Sequence, residues 1–183
     1  MKDKLSRIWG DLSKKWGLST ISQCSYDGDN NVYLIESEKE VINFDEVSKE
    51  LAKELQVNKP SSVDALYIQD DMLHLVEFKN THNPKPDEVR VKVHDTLAML
   101  KLSNFITDDD YKLIKIILVR KFKATTIKNI RRMKNAGVQL KLKMGLDFLQ
   151  KVYPSVEFFD MSPDEYKKLI NMPNESEVAS CTP

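Results

Sequence analysis

Two apolar runs, residues 63–68 and 73–79, flank a short polar break at Asp70-Asp71. Runs of this length, rich in Val, Ile, Leu, Phe and Tyr, read as strands, and so short a break leaves room only for a tight turn, so they pair as an antiparallel hairpin. If Asp70 and Asp71 form a two-residue turn, Gln69 faces Met72, Leu66 faces Leu75 and Asp64 faces Glu77. A four-residue loop keeps that register, whereas a three-residue loop shifts it to a diagonal neighbour. Side chains alternate along a strand, so Glu77 and Lys79 emerge on the same face. The hairpin thus gathers two carboxylates and one ammonium on one patch.

Elements on either side of the hairpin define the fold class. Leu5, Ile8, Trp9, Leu12 and Trp16 recur at helical spacing within an N-terminal amphipathic stretch, residues 1–25, and read as packing residues. Gly28-Asp29-Asn30-Asn31 reads as a turn before a strand over 32–35. A helix is expected to start at Asn43, which with Glu46 has capping-box spacing, and to bury Phe44, Val47, Leu51 and Leu55 before breaking at 59–62. After a proline-containing loop over 80–86, Val89, Val93, Leu97 and Leu100 predict a helix of about four turns. Residues 113–119 are almost continuously apolar, as in a strand covered on both faces. A helix over 126–135 ending at Gly137, a strand over 138–142, helices over 145–153 and 163–171, and a flexible tail over 173–183 complete the reading. The order predicts an α/β fold with a central mixed β-sheet flanked by helices. With 183 residues, 41% of them hydrophobic, the chain supports one domain over 1–172 with its core in 43–145.

Two facing carboxylates on paired strands repel, so the register has an electrostatic cost that a cation removes. Lys79 supplies one positive charge. The paired oxygens also suit Mg²⁺ or Mn²⁺, a hard cation that takes one or two carboxylates together with water and phosphate oxygens. Such a site can hydrolyse a phosphodiester, with Lys79 orienting the nucleophile or offsetting developing negative charge.

The segments Ser62-Val63-Asp64-Ala65-Leu66 and Val76-Glu77-Phe78-Lys79-Asn80 resemble the PD-(D/E)xK, or restriction-endonuclease-like, nuclease superfamily, across about residues 43–120. The resemblance implies a restriction-endonuclease-like fold built from a helix, a hairpin, a helix and a strand. It implies Asp64 and Glu77 as metal ligands, Lys79 as the catalytic lysine and the Phe78 carbonyl as a further ligand. Many members carry an acid on the first helix; Glu46 is the choice here, with Asp45 and Glu50 as rivals. Ser62-Val63 stands where the family often has a proline before the aspartate.

Net charge is zero, yet residues 112–143 hold eleven of the 28 Lys and Arg and none of the 28 Asp and Glu. A run of one sign is either a wet face or a nucleic-acid surface. On the second reading Lys121, Lys123, Lys128, Arg131, Arg132 and Lys134 contact phosphates, giving affinity for DNA or RNA without sequence readout. Cys24 and Cys181 fit neither a disulfide framework nor a zinc pattern. No leader or membrane-spanning run is evident, so a soluble, cytoplasmic protein is expected. His74 should face away from Glu77, while His82 and His94 read as surface residues. Lys92 and Asp95, one turn apart, have the spacing of a surface ion pair, although this helix lines the site in similar nuclease-like sequences. Thr107-Asp108-Asp109-Asp110 reads as a loop and helix end rather than a metal cluster. The alternatives to a nuclease are a catalytically silent module that binds nucleic acid or a protein partner, and an accessory or immunity protein of a defence or toxin system.

Overall fold

Asp70 and Asp71 both take left-handed φ values, 52° and 56°, in the computed structural model, which describes residues 2–122 and 146–171. Two successive left-handed residues match the twist of a two-residue hairpin, and Asp adopts that conformation more readily than most side chains. The strands they join are β5 (Ala65–Gln69) and β6 (Met72–Lys79), with Gln69 opposite Met72 and Leu66 opposite Leu75. The two-residue register is therefore the one adopted.

The hairpin lies inside a six-stranded mixed sheet. Before it come β1 (Ser19–Thr20), a small separate ribbon of β2 (Tyr26–Asp27) and β3 (Val32–Tyr33), and β4 (Glu40–Asn43). After it come β7 (Ile114–Arg120) and β8 (Glu157–Met161). The sheet order is β1-β4-β5-β6-β7-β8, antiparallel as far as β6 and parallel from β6 to β8. The helices are α1 (Lys2–Trp16), α2 (Ile21–Cys24), α3 (Phe44–Glu54), α4 (Pro86–Leu102), α5 (Leu146–Val152) and α6 (Pro163–Ile170), with a 3₁₀ turn over Asp108–Leu113.

Each helix covers the sheet through the stripe that its sequence supplies. Leu5, Ile8 and Leu12 of α1, Val47 and Leu51 of α3, and Val89, Val93, Leu97 and Leu100 of α4 join Leu66, Leu73, Leu75, Ile116 and Leu118 in one core. Full burial of such side chains is worth roughly 1.5–3 kcal/mol each. On the other face α6 contributes Tyr166 and Ile170, packed with Tyr67, Val76, Phe78, Ile117 and Val119. Since β7 feeds both cores, its unbroken apolar run has a structural reason. Asn43 starts α3 by accepting from the Asp45 and Glu46 N–H groups, a cap worth about 1 kcal/mol. Glu46, however, pairs with Lys49. Trp9 and Trp16 pack against the core, Trp16 edge-on to Phe105 at 6.0 Å.

The structure departs from the sequence reading in several places. The strand expected over 32–35 shrinks to Val32–Tyr33, because Leu34 and Ile35 turn into the core. β1, β2, α2, β4 and β8 lie outside the elements expected from the sequence. The elements expected over 126–142 and the tail over 173–183 lie outside the described residues. No helix among the described residues is long and apolar enough to cross a membrane. Asp110, in the acidic run, accepts hydrogen bonds from Thr107 and pairs with Lys4.

His74 is 1% exposed on the α6 side; its Nδ1 lies 3.1 Å from Tyr67 Oη and its Nε2 has no hydrogen-bond partner. Burial, reinforced by Lys115 and Lys39, pushes its pKa down to about 3 from the ordinary 6.5. Between those values the unfolded chain binds a proton that the folded one refuses, so stability is intact above pH 6.5 and falls as pH drops toward 3. By pH 5 the expected loss is about 2 kcal/mol. Urea unfolding should show that slope in the native protein and lack it in His74→Gln; equal slopes would remove the assignment.

Candidate active site at the end of the hairpin

Asp64 stands just before β5, where the regular ladder gives out. Its N–H donates to the Val76 carbonyl at 2.9 Å, and its Oδ2 accepts from the Phe78 N–H at 2.6 Å. The loop leading to it is stitched to neighbouring helices: Asp95 accepts from the Ser61 N–H, Thr96 Oγ1 accepts from the Val63 N–H at 3.0 Å, and Ser62 Oγ donates to Asp45 at 2.7 Å. A proline at 63 could not make the Thr96 bond, which gives Val63 a physical reason at that position.

Glu77 and Lys79 point from β6 toward the helices on the α4 side, as their alternation with Leu73 and Leu75 requires. Lys79 Nζ lies 3.2 Å from Glu77 Oε1 and 3.9 Å from Glu88 Oε2. A fourth group enters from α4. Lys92 Nζ lies 2.8 Å from Glu77 Oε1, 3.0 Å from Glu77 Oε2 and 3.2 Å from Asp64 Oδ1. Two carboxylates and two ammoniums thus converge. The Glu77 side chain is 1% exposed, while Asp64, Lys79 and Lys92 are 17%, 21% and 23% exposed, so the cluster opens to solvent on the lysine side.

Burial, followed by repulsion from Asp64, raises the Glu77 pKa to about 8 against the pull of Lys92 and Lys79. Asp64 is raised as well, mainly by burial, with Lys92 and the Phe78 N–H opposing. Burial alone would lower the Lys92 pKa, but the attraction of Asp64 and Glu77 outweighs it and holds the ammonium charged. Glu77 Oε1 is enclosed and has no aligned hydrogen bond, despite the two nearby ammoniums. An under-satisfied buried carboxylate oxygen beside a second carboxylate fits a hard divalent cation, which completes its shell with water and substrate oxygens. Among the described residues no group of three or more His, Cys, Asp or Glu side chains is placed to hold a metal.

The other expected site residues fall at different distances from this patch. Glu46 is exposed and paired with Lys49, and Glu50 is paired with Lys53 at 2.6 Å. Of the three first-helix acids it is Asp45 whose charge acts on Asp64 and Lys92; its own pKa is lowered because hydrogen bonds from Ser62 and Lys59 overcome burial. Lys92 makes no ion pair with Asp95, which caps the 61–63 loop instead. A signal for Lys92 was present: it follows Val89 by three and precedes Thr96 by four, which puts a lysine on the buried stripe of α4. Lys121 is exposed just past β7, whereas Lys123, Lys128, Arg131, Arg132 and Lys134 lie outside the described residues.

Arg120 sits beside Lys79 in the β6–β7 register but is fully engaged. Its Nε and Nη2 donate to Asp160 on β8 at 2.8 and 2.9 Å, its Nη1 donates to the His82 carbonyl at 2.7 Å, and its guanidinium lies over the Phe122 ring at 4.2 Å. This clamp ties the loop after Lys79 to the carboxyl ends of the parallel strands, where open α/β sheets commonly bind ligands. His82 and His94 are exposed, and neither reaches the carboxylates among the described contacts.

Comparison of the chain with protein-family models, with curated proteins and with solved structures finds no match.

Proposed function

We propose that this protein is a Mg²⁺- or Mn²⁺-dependent nuclease of the PD-(D/E)xK type that hydrolyses phosphodiester bonds of DNA or RNA. The observation that carries the reading is the convergence of Asp64, Glu77 and Lys79 on one solvent-open patch. The order α3, hairpin, α4, β7 agrees with the restriction-endonuclease-like arrangement, which the acidic hairpin and the parallel β6–α4–β7 crossover also favour.

In this reading Asp64 and Glu77 would hold the cation, with the Phe78 carbonyl as a further ligand. When bound, the metal lowers the pKa of a coordinated water and polarises the phosphoryl oxygen. The Phe78 N–H fixes the Asp64 carboxylate, and burial keeps Glu77 within reach of the same centre. Lys79, partly exposed beside Glu77, supplies an ammonium that would orient the attacking water and offset charge as it grows on the phosphate. Lys121, with Lys123, Lys128, Arg131, Arg132 and Lys134, supplies phosphate contacts along the strand.

A cleavage panel over plasmid, single-stranded DNA and total RNA tests this, with and without Mg²⁺. At least one substrate should be cut only with the metal, and Asp64→Ala should abolish cutting. Cleavage that survives Asp64→Ala, or none on any substrate, would rule out the reading.

One observation favours a second reading, a catalytically silent module that keeps the fold and binds nucleic acid. Lys92 bridges both carboxylates, so a positive charge already sits between the two groups that a metal would use. Salt-sensitive binding that ignores Mg²⁺ and is not followed by cleavage would identify that module.

A further inference from the structure

We propose that Lys92 is a resident counter-ion, bridging Asp64 and Glu77 in the metal-free protein, which a divalent cation must displace in order to bind. The inference rests on the metal-site reading above and adds a competition that the nuclease motif does not contain.

Three distances place one ammonium within 3.2 Å of both carboxylates, touching Asp64 Oδ1 and both Glu77 oxygens. A cation that uses those oxygens would find a like charge already in contact with them, and at such a separation the two repel strongly in a site this buried. The placement is built in. Lys92 lies on the inward row of α4 between Val89 and Thr96, and the partner one turn along its own helix, Asp95, is held by the Ser61 N–H.

The same side chain has a way out. It is 23% exposed and ends a flexible four-carbon stem. Asp45 on α3 and Glu88 at the start of α4 both lie within electrostatic reach of it. A displaced ammonium would therefore stay in a field of acids at the mouth of the site. In the metal-free protein Lys92 spares two neighbouring carboxylates an uncompensated burial, which would otherwise weaken the fold.

The test is Mn²⁺ titration of the full chain by calorimetry, with thermal unfolding in parallel, on the native protein, Lys92→Gln and Lys92→Arg. Lys92→Gln should bind Mn²⁺ at least about tenfold more tightly than the native protein, and Lys92→Arg, which keeps the charge, should not. Without metal, Lys92→Gln should melt lower than the native protein, and Mn²⁺ should raise its melting temperature more. Lys92→Met provides a second neutral variant if the amide impairs folding. If the native protein binds Mn²⁺ and the neutral variants bind it equally or more weakly, the competition is overturned while the metal site stands. If no form binds Mn²⁺, the metal-site reading fails and this inference with it.

Discussion

Lys79→Ala is expected to slow phosphodiester cleavage by about 10²- to 10³-fold, the usual cost of removing one pre-positioned group that stabilises a transition state. The Lys79 ammonium stands 3.2 Å from Glu77 Oε1 and is 21% exposed, between a buried carboxylate and solvent. There it can meet both the attacking water and the phosphate. Since Lys92 also contacts Glu77, loss of Lys79 leaves that carboxylate paired, and folding should change little. The expected signature is a fall in kcat with Mn²⁺ binding and melting temperature nearly preserved. Single-turnover cleavage at saturating metal measures it, and a variant within fivefold of native activity would leave Lys79 without the role assigned to it.

Asp160→Ala should cost about 3–5 kcal/mol of stability, because it strands a buried guanidinium. The Arg120 side chain is only 7% exposed, and two of the three hydrogen bonds it makes among the described residues go to Asp160. Its remaining polar contact, to the His82 carbonyl, cannot balance a full charge away from water. The loop after Lys79 loses its anchor as well, so cleavage should fall in a variant whose catalytic groups are untouched. Urea denaturation reads the stability term; a loss below about 1 kcal/mol would mean that water reaches Arg120 and that the clamp is weak.

What could be read from the sequence was what rests on periodicity and turn chemistry. The hairpin register follows from two runs and a two-residue break, and α4 from a four-member apolar stripe. β7 is continuous because both of its faces are covered. β4 has only Val41 and Ile42 as buried apolar residues before Asn43 caps the next helix, too short a stretch to display an alternation. β8 lies at the sheet edge and mixes Glu157 and Asp160 with Phe158 and Phe159, so it carries no clean pattern. At the site, alternation alone put Glu77 and Lys79 together. Local spacing suggested Asp95 as the partner of Lys92, but the actual partners, one just before β5 and one on β6, lie 28 and 15 residues away in sequence. Glu46 over Asp45 was a choice of helical phase that the sequence left open, and the Ser62 contact draws Asp45 toward the cluster.

The left-handed pair at Asp70 and Asp71 lies at the far end of the hairpin from the carboxylates, yet it sets what reaches them. One residue gained or lost in that bend would slide one strand against its mate and exchange its inner and outer rows. Glu77 would then trade places with a neighbour meant for the opposite core. Length at this remote corner is in effect a component of the chemistry, and selection acting on the acidic patch would reach back to two aspartates that never touch it.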